Sequence, residues 1–564
     1  MRLRFLTTRL LVRTEKRVCF SVSLCLALVT VGLNPQAWGY PASASGDESP
    51  GAQRQVSSQV NSLVKQGRKL MRNGELEAAE QTYRQALALD ANAPTVRCGL
   101  AYVLIKNRQH AAAYEELRPL LQLPSKHSDA LALSGLALVR AGLFRDGFES
   151  LKAALAIKRD NPIAIAGIAE LACYENQLAL AAQLISTAIN ESPEEPDYYL
   201  LAARIASRLE NFYFAAESLR NFLRLAPKTD VERRERIEGV IRFYTYLGTS
   251  RINVVQEKAE AFIPFELRGR RPHINVRING KGPFNFVLDT GASSCVISNE
   301  TAAKIGVRSV AAGGYARAVG GNGMFPIVYG VLKSLEIGPI KLGTVPVYLR
   351  DIQSVTENGS RVDGFIGLST LSDFAITLDY PQHLLGLRYA PREGTLKDGA
   401  EPAVSQGTTR LPFRVTESGL ISLETQLDDG QILNFILDSG ASASVVDQSV
   451  VERHNWQSKI LSNQSVRIVG AAGAAEKVPV LQVNALRIYD LVRTDVRMPV
   501  IDMRRLNESS GFEQSGILGG DFLTHCRIEI DFRHQRIALT PTPNGIVKRQ
   551  MDVPPTASSD PPRP

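Results

Sequence analysis

The chain has little with which to bind a metal or build a disulfide framework. Of its 564 residues, six are Cys and seven are His. There is no CxxC pair, no HExxH and no His pair four apart, so no zinc ligand set is spelled out. Past residue 44 the cysteines Cys98, Cys173, Cys295 and Cys526 stand far apart, which points to free, buried thiols. Surplus charge is scarce too. The formal net charge is +8, but six Lys/Arg and one Glu fall within residues 1–17. The remaining balance of about +3 builds no field for nucleic acid or a membrane surface. Long apolar runs are also missing. Val18–Leu33 supplies sixteen residues, short of the roughly 20 that a full span needs.

What precedes and follows that run gives it a meaning. Arg2, Arg4, Arg9, Arg13, Lys16 and Arg17 come before it, and "NPQAWGYPASAS" comes after. A charged, then apolar, then small-residue order describes an export leader cut after Gly39 or Ala44. The alternative is an uncleaved N-terminal anchor. The expected mature chain is periplasmic or secreted, with no stable membrane span. Its length implies three or four domains, and 44% apolar with 22% charged residues is ordinary globular composition.

Between residues 57 and 245 the chain repeats. Gly67, Ala101, Gly135, Ala169 and Ala203 are spaced by 34, as are Ala79, Ala113, Gly147, Ala181 and Ala215. A third row is Ala86, Leu120, Ala154, Ala188 and Phe222, and Gly74, Gly142 and Asn176 mark turns on the same period. Two-helix units of this length, with small residues where helices cross, resemble the tetratricopeptide repeat. Five units imply a solenoid with a concave face. The larger Leu120 and Phe222 suggest distorted or capping second and last units. Such a fold implies a protein partner or a substrate to recruit, or else a plain spacer. Because each unit buries its faces on its neighbours, the solenoid is expected to fold without the rest.

After residue 250 the pattern changes to strands. "HINVRINGKGPFNFVLDTGAS" is echoed by "LISLETQLDDGQILNFILDSGAS", which puts Asp289 and Asp438 149 residues apart. Both aspartates end an apolar run where a lone carboxylate costs several kcal/mol. The parallel continues through "AVGGNG" and "IVGAAGAA", "GFIGLSTL" and "GILGGDFL", and "ITLDY" and "IEIDF". One Asp-Ser/Thr-Gly arises by chance in roughly a third of chains this long. Two copies with matched flanks are an internal duplication.

Asp-Ser/Thr-Gly-Ala after an apolar strand, then a glycine-rich stretch, then two apolar residues and Gly, resembles a retropepsin-like aspartic peptidase lobe of the bacterial exported type. The resemblance covers about half the chain. It implies two all-β lobes, at 262–390 and 405–542, each supplying one catalytic aspartate, Asp289 and Asp438. It implies no cofactor and no metal, with a polypeptide as substrate. Gly291 and Gly440 allow the sharp turn and the approach of N–H groups to the carboxylates. The resemblance further implies that the Thr290 and Ser439 hydroxyls bond across the lobe interface. It puts Gly364–Gly367 and Gly516–Gly519 behind the aspartate loops.

Gly320, Gly321, Gly323, Gly470 and Gly473 are candidate flap glycines or else plain surface turns. Asp521 reads as a helix cap, and Cys295 as a core residue rather than a nucleophile. The expected order is leader 1–44, linker 45–56, solenoid 57–245, lobe one, linker 391–404, lobe two and a disordered tail 543–564. A tether of that length favours pairing of the lobes within one chain. Two functions remain open. One is an endopeptidase, and the other is a non-catalytic peptide-binding or scaffolding protein with inert lobes.

Overall fold

A computed structural model describes residues 50–257, 259–317, 324–352, 361–390, 407–428, 430–470, 473–542 and 546–548. The expected leader and the 391–404 linker lie outside them, as do Gly320, Gly321 and Gly323.

The first part is helical: α1 (Pro50–Asn73), α2 (Leu76–Leu89), α3 (Pro94–Lys106), α4 (His110–Leu121), α5 (Ser128–Arg140), α6 (Phe144–Ile157), α7 (Pro162–Tyr174), α8 (Leu178–Glu191), α9 (Pro196–Arg208), α10 (Phe212–Leu225) and α11 (Val231–Leu247). Proline opens α3, α7 and α9, where its missing N–H costs nothing. Asn161 caps α7, its side chain accepting from the N–H groups of Ile163 and Ala164 at 3.1 Å. The small-residue rows lie where helices cross. Ala79, Ala113, Ala181 and Ala215 are fully buried. A β-carbon placed on Gly135 would stand 2.9 Å from the Gly147 carbonyl oxygen.

Every unit turns through a left-handed residue on the 34 period: Gly74, Arg108, Gly142, Asn176 and Glu210. The second unit, expected to be distorted or capping, keeps two helices of 13 and 12 residues, the second with Pro119 inside its last turn. Phe222 does mark an end, because it packs with Ile237 of α11, which covers the last unit. Helix α1 begins at Pro50, inside the segment expected to be linker.

Each lobe is a nine-stranded sheet with the same central connectivity, the outlying strand coming from before lobe one (Val254–Glu257) and from after lobe two (Val547–Lys548). In lobe one, Lys281–Asp289 and Cys295–Ser298 flank Gly364–Gly367; in lobe two, Ile432–Leu437 and Val445–Asp447 flank Gly516–Leu518. Long hairpins, Ser309–Arg317 with Met324–Ile337 and Ile460–Gly470 with Gly473–Ile488, complete each sheet. A six-stranded sheet joins the lobes at its centre, where Phe374–Asp379 runs antiparallel to Cys526–Asp531. Its apolar positions, Ile376, Leu378, Ile528 and Ile530, share one core with both lobes.

Two boundaries differ from expectation. Strands begin at Val254, and Glu260–Pro264 forms an edge of the shared sheet. In the tail expected to be disordered, Val547–Lys548 pairs with the strand Leu491–Ile501 and Ile546 is buried.

The solenoid is no tethered appendage. Phe512 of lobe two lies edge-on to Phe144 and Tyr174, at 4.8 and 4.9 Å between centroids. Arg108 donates to the carbonyls of Asn507 and Glu508, and Arg204 pairs with Glu417. Lobe one leans on α11. The expected separability therefore meets an extended interface that the repeat pattern alone does not reveal.

Candidate active site

Asp289 closes its strand opposite Gly367. Asp438 follows Leu437, and its N–H donates to the Leu518 carbonyl at 3.0 Å, which ties the second loop to the strand behind it. Glycine is required behind both. A β-carbon on Gly367 would stand 2.5 Å from the Ser294 carbonyl carbon, and one on Gly519 would stand 3.0 Å from the Ala443 nitrogen. The apolar strands thus press directly on the backbone of the aspartate loops.

The two loops hold each other. The Ser439 hydroxyl accepts from the Thr290 N–H at 3.0 Å and donates to the Leu288 carbonyl at 2.7 Å. The Thr290 hydroxyl accepts from the Ser439 N–H and donates to the Leu437 carbonyl, both at 2.8 Å. Four hydrogen bonds from side chains almost wholly withdrawn from solvent fix the aspartate loops to one another. Gly291 and Gly440 stand where the lobes meet. A β-carbon on Gly440 would lie 2.5 Å from the Asp289 carboxyl carbon, and one on Gly291 would overlap the Asp438 carboxylate.

The carboxyls face one another at the seam of the lobes, each half-buried, and both are pushed above the ordinary carboxylate value. Burial is the first cause for each. The charge and the hydrogen bond of Asp438 push Asp289 up further. Asp438 is drawn back down by the hydrogen bond from Asp289 and by the N–H groups of Gly440, Ala441 and Gly291. Two half-buried carboxyls bonded to one another share one proton, and Asp438, which accepts two N–H groups against one on Asp289, is the better-supported anion.

Below the loops the lobes differ. Cys295, six residues past Asp289, is buried with its sulfur 3.1 Å from the Thr370 hydroxyl, and burial pushes its thiol up. That agrees with a core residue. At the matching place Ser444 donates from both N–H and hydroxyl to the Asp521 carboxylate, at 2.8 and 2.6 Å. Asp521 is therefore not a helix cap. The cap position of its four-residue helix is Gly519, and Asp521 braces the aspartate loop of lobe two. Sequence reasoning misses this role because its partner lies 77 residues away. Gly470 and Gly473 are the last paired residues of the lobe-two hairpin, so they belong to a long hairpin and not to an isolated surface turn. The candidate flap glycines of lobe one, Gly320, Gly321 and Gly323, lie outside the described residues.

The solenoid encloses a cavity of about 570 Å³, lined in part by Tyr83, Tyr102, His110 and Leu133 and bounded by Glu417 and Gly511 of lobe two. Several of its charges are paired within it. Lys106 meets Glu195 and Asp197 at 2.8 and 2.7 Å, and Arg140 meets Glu170 at 3.1 Å. No helix among the described residues is long and apolar enough to cross a membrane.

Comparison with known proteins separates the same parts. The aspartyl protease family model matches residues 274–370 and 423–522, and a TPR repeat model matches 67–107. None of the curated proteins compared matches the chain. Similar solved structures include the aspartic proteinase from Irpex lacteus, at 11% identity over 50% of this chain and 98% of that one, with a TM-score of 0.33. The thermophilic TPR protein TTC0263 of Thermus thermophilus is 17% identical over 32% of this chain and 98% of that one, with a TM-score of 0.28. Pseudomonas aeruginosa pilF is 15% identical over 34% and 86%, with a TM-score of 0.26. In fold the chain is a tetratricopeptide-like helical solenoid followed by two β lobes, each matched by the aspartyl protease family model.

Proposed function

We propose that the chain is an aspartic endopeptidase. The observation that carries this reading is the facing pair of Asp289 and Asp438, one from each lobe, on loops bonded to each other. Asp438, whose carboxylate accepts from the Gly440 and Ala441 N–H groups at 2.8 and 3.0 Å, is the ionised member and Asp289 holds the shared proton. A water between them loses a proton to Asp438 as its oxygen attacks the scissile carbonyl carbon. Asp289 meanwhile gives its proton to the carbonyl oxygen. Collapse of the resulting diol breaks the C–N bond. The amine leaves with the proton from Asp438, and a diol hydroxyl returns one to Asp289. The solenoid adds a surface for a protein partner or substrate, and the charged, then apolar, then small-residue N-terminus supports export to the periplasm or beyond.

The test is a peptide-library digest with the wild type, Asp289→Asn and Asp438→Asn. Cleavage that pepstatin blocks and that each substitution alone abolishes is the expected result. Mixing the two variants should restore nothing, because the pair forms within one chain. Peptide binding without any cleavage by the wild type would establish the non-catalytic alternative instead.

A further inference from the structure

The two long hairpins are equivalent in connectivity but not in what supports them. In lobe two, Ile468 on the hairpin packs against a buried cluster of Leu420, Ile436, Val445 and Ile517, the cluster that also receives Ala441, three residues past Asp438. That hairpin rests on its own lobe, and Val466 and Val469 are exposed. In lobe one the corresponding hairpin rests on the solenoid. Gly239 of α11 and Gly313 meet backbone to backbone. A β-carbon on Gly239 would stand 2.9 Å from the Gly313 nitrogen and 3.1 Å from the Ala312 oxygen. Next to this contact Arg242 donates to the Ala312 carbonyl at 2.7 Å. Phe243 stacks on Tyr329 of the partner strand at 4.4 Å and 15°.

We infer that α11 is a positioning element for the active site. Through Gly239, Arg242 and Phe243 it holds the stem of the lobe-one hairpin as a fixed wall of the substrate cleft, while the lobe-two hairpin keeps the freedom to adjust. Three features carry the inference. The Gly239–Gly313 approach tolerates no side chain on either member. The aromatic stack and the hydrogen bond join different strands of the hairpin to one helix. No solenoid helix plays the same part for the described residues of the lobe-two hairpin. The solenoid thus enters substrate binding through geometry, in addition to any partner on its concave face.

This inference rests on the peptidase reading, so its test has an arm that needs no turnover. Amide exchange of the full chain should show residues 309–317 and 324–331 protected at least about tenfold more than 460–470 and 473–480. Gly239→Val, which drives a side chain into the hairpin backbone, and Phe243→Ala, which removes the stack without adding bulk, should each erase that difference. Both should leave exchange in the lobe-two hairpin unchanged. For a cleaved peptide, KM should rise about fivefold or more with kcat within about twofold and the pH profile unmoved, since the dyad is untouched. Equal protection of the two hairpins in the wild type would overturn the inference. So would an unchanged KM in variants whose hairpin has loosened. A wild type that cleaves nothing would instead remove the peptidase reading, and the exchange comparison would still decide whether α11 holds the hairpin.

Discussion

The reciprocal bonds between Thr290 and Ser439 make a quantitative test of how the site is held. Ser439→Ala is nearly isosteric and creates no cavity, but it removes two buried bonds, from the Thr290 N–H at 3.0 Å and to the Leu288 carbonyl at 2.7 Å. Each bond is worth about 1 kcal/mol net, and a buried N–H left without an acceptor adds about 1–3 kcal/mol. The expected loss is therefore about 3–5 kcal/mol of lobe-pairing stability. Thr290→Val removes the other two bonds and should cost a similar amount. The double variant should cost less than the sum by about 1 kcal/mol or more, because either change alone lets the loops part. Guanidinium unfolding followed through Trp456, which is buried in lobe two, reads the stability. Turnover of a cleaved peptide reads the geometry, and a displacement of about 1 Å between the aspartates should lower kcat about a hundredfold. Single variants that lose less than about 0.5 kcal/mol, the scale of a neutral surface change, and keep full kcat would refute the lock.

The dyad also sets a pH dependence. Both carboxyls titrate higher folded than unfolded, so their contribution is intact below the unfolded value and is lost as pH rises through the folded one. Stability should fall with rising pH by up to about 1.4 kcal/mol per unit for each proton lost, and Asp289→Asn should flatten that slope in denaturation curves taken across pH. Activity should follow a bell on the acid side, and an alkaline optimum would contradict the shared proton. Phe512→Ala empties the aromatic contact with Phe144 and Tyr174 and should cost about 3–5 kcal/mol, read as earlier unfolding together with loosened docking of the solenoid in amide exchange. N-terminal sequencing of protein recovered from outside the cytoplasm should begin near residues 40–45; a retained Met1 would exclude cleavage.

How far the sequence reveals the molecule depends on the distance of each interaction along the chain. The repeat is legible because a 34-residue period demands small residues at each crossing, such as Ala79 and Ala113. The duplication is legible because strand, loop and glycine recur together around Asp289 and Asp438. The left-handed turns at Arg108 and Glu210 are hidden because neither residue favours that conformation, and only the period places them beside Gly74 and Gly142. Asp521 and Ser444 lie 77 residues apart, and nothing local to either predicts their contact. The docking of Phe512 on α6 and α7 joins elements more than 300 residues apart in the chain. A buried aromatic in lobe two looks like ordinary core until its neighbours are known.

The sheet shared by the lobes has a consequence for how the site comes into being. Phe374–Asp379 and Cys526–Asp531 bond along their length at its centre, so the halves cannot part without breaking a core common to both. A site assembled from two separate chains would appear and vanish with concentration, and dilution would switch it off. Here folding alone brings Asp289 to Asp438, in a step that is first order in the protein. Any activity of the proposed peptidase should therefore keep a constant specific value as the protein is diluted, because no association of chains is needed to complete the pair.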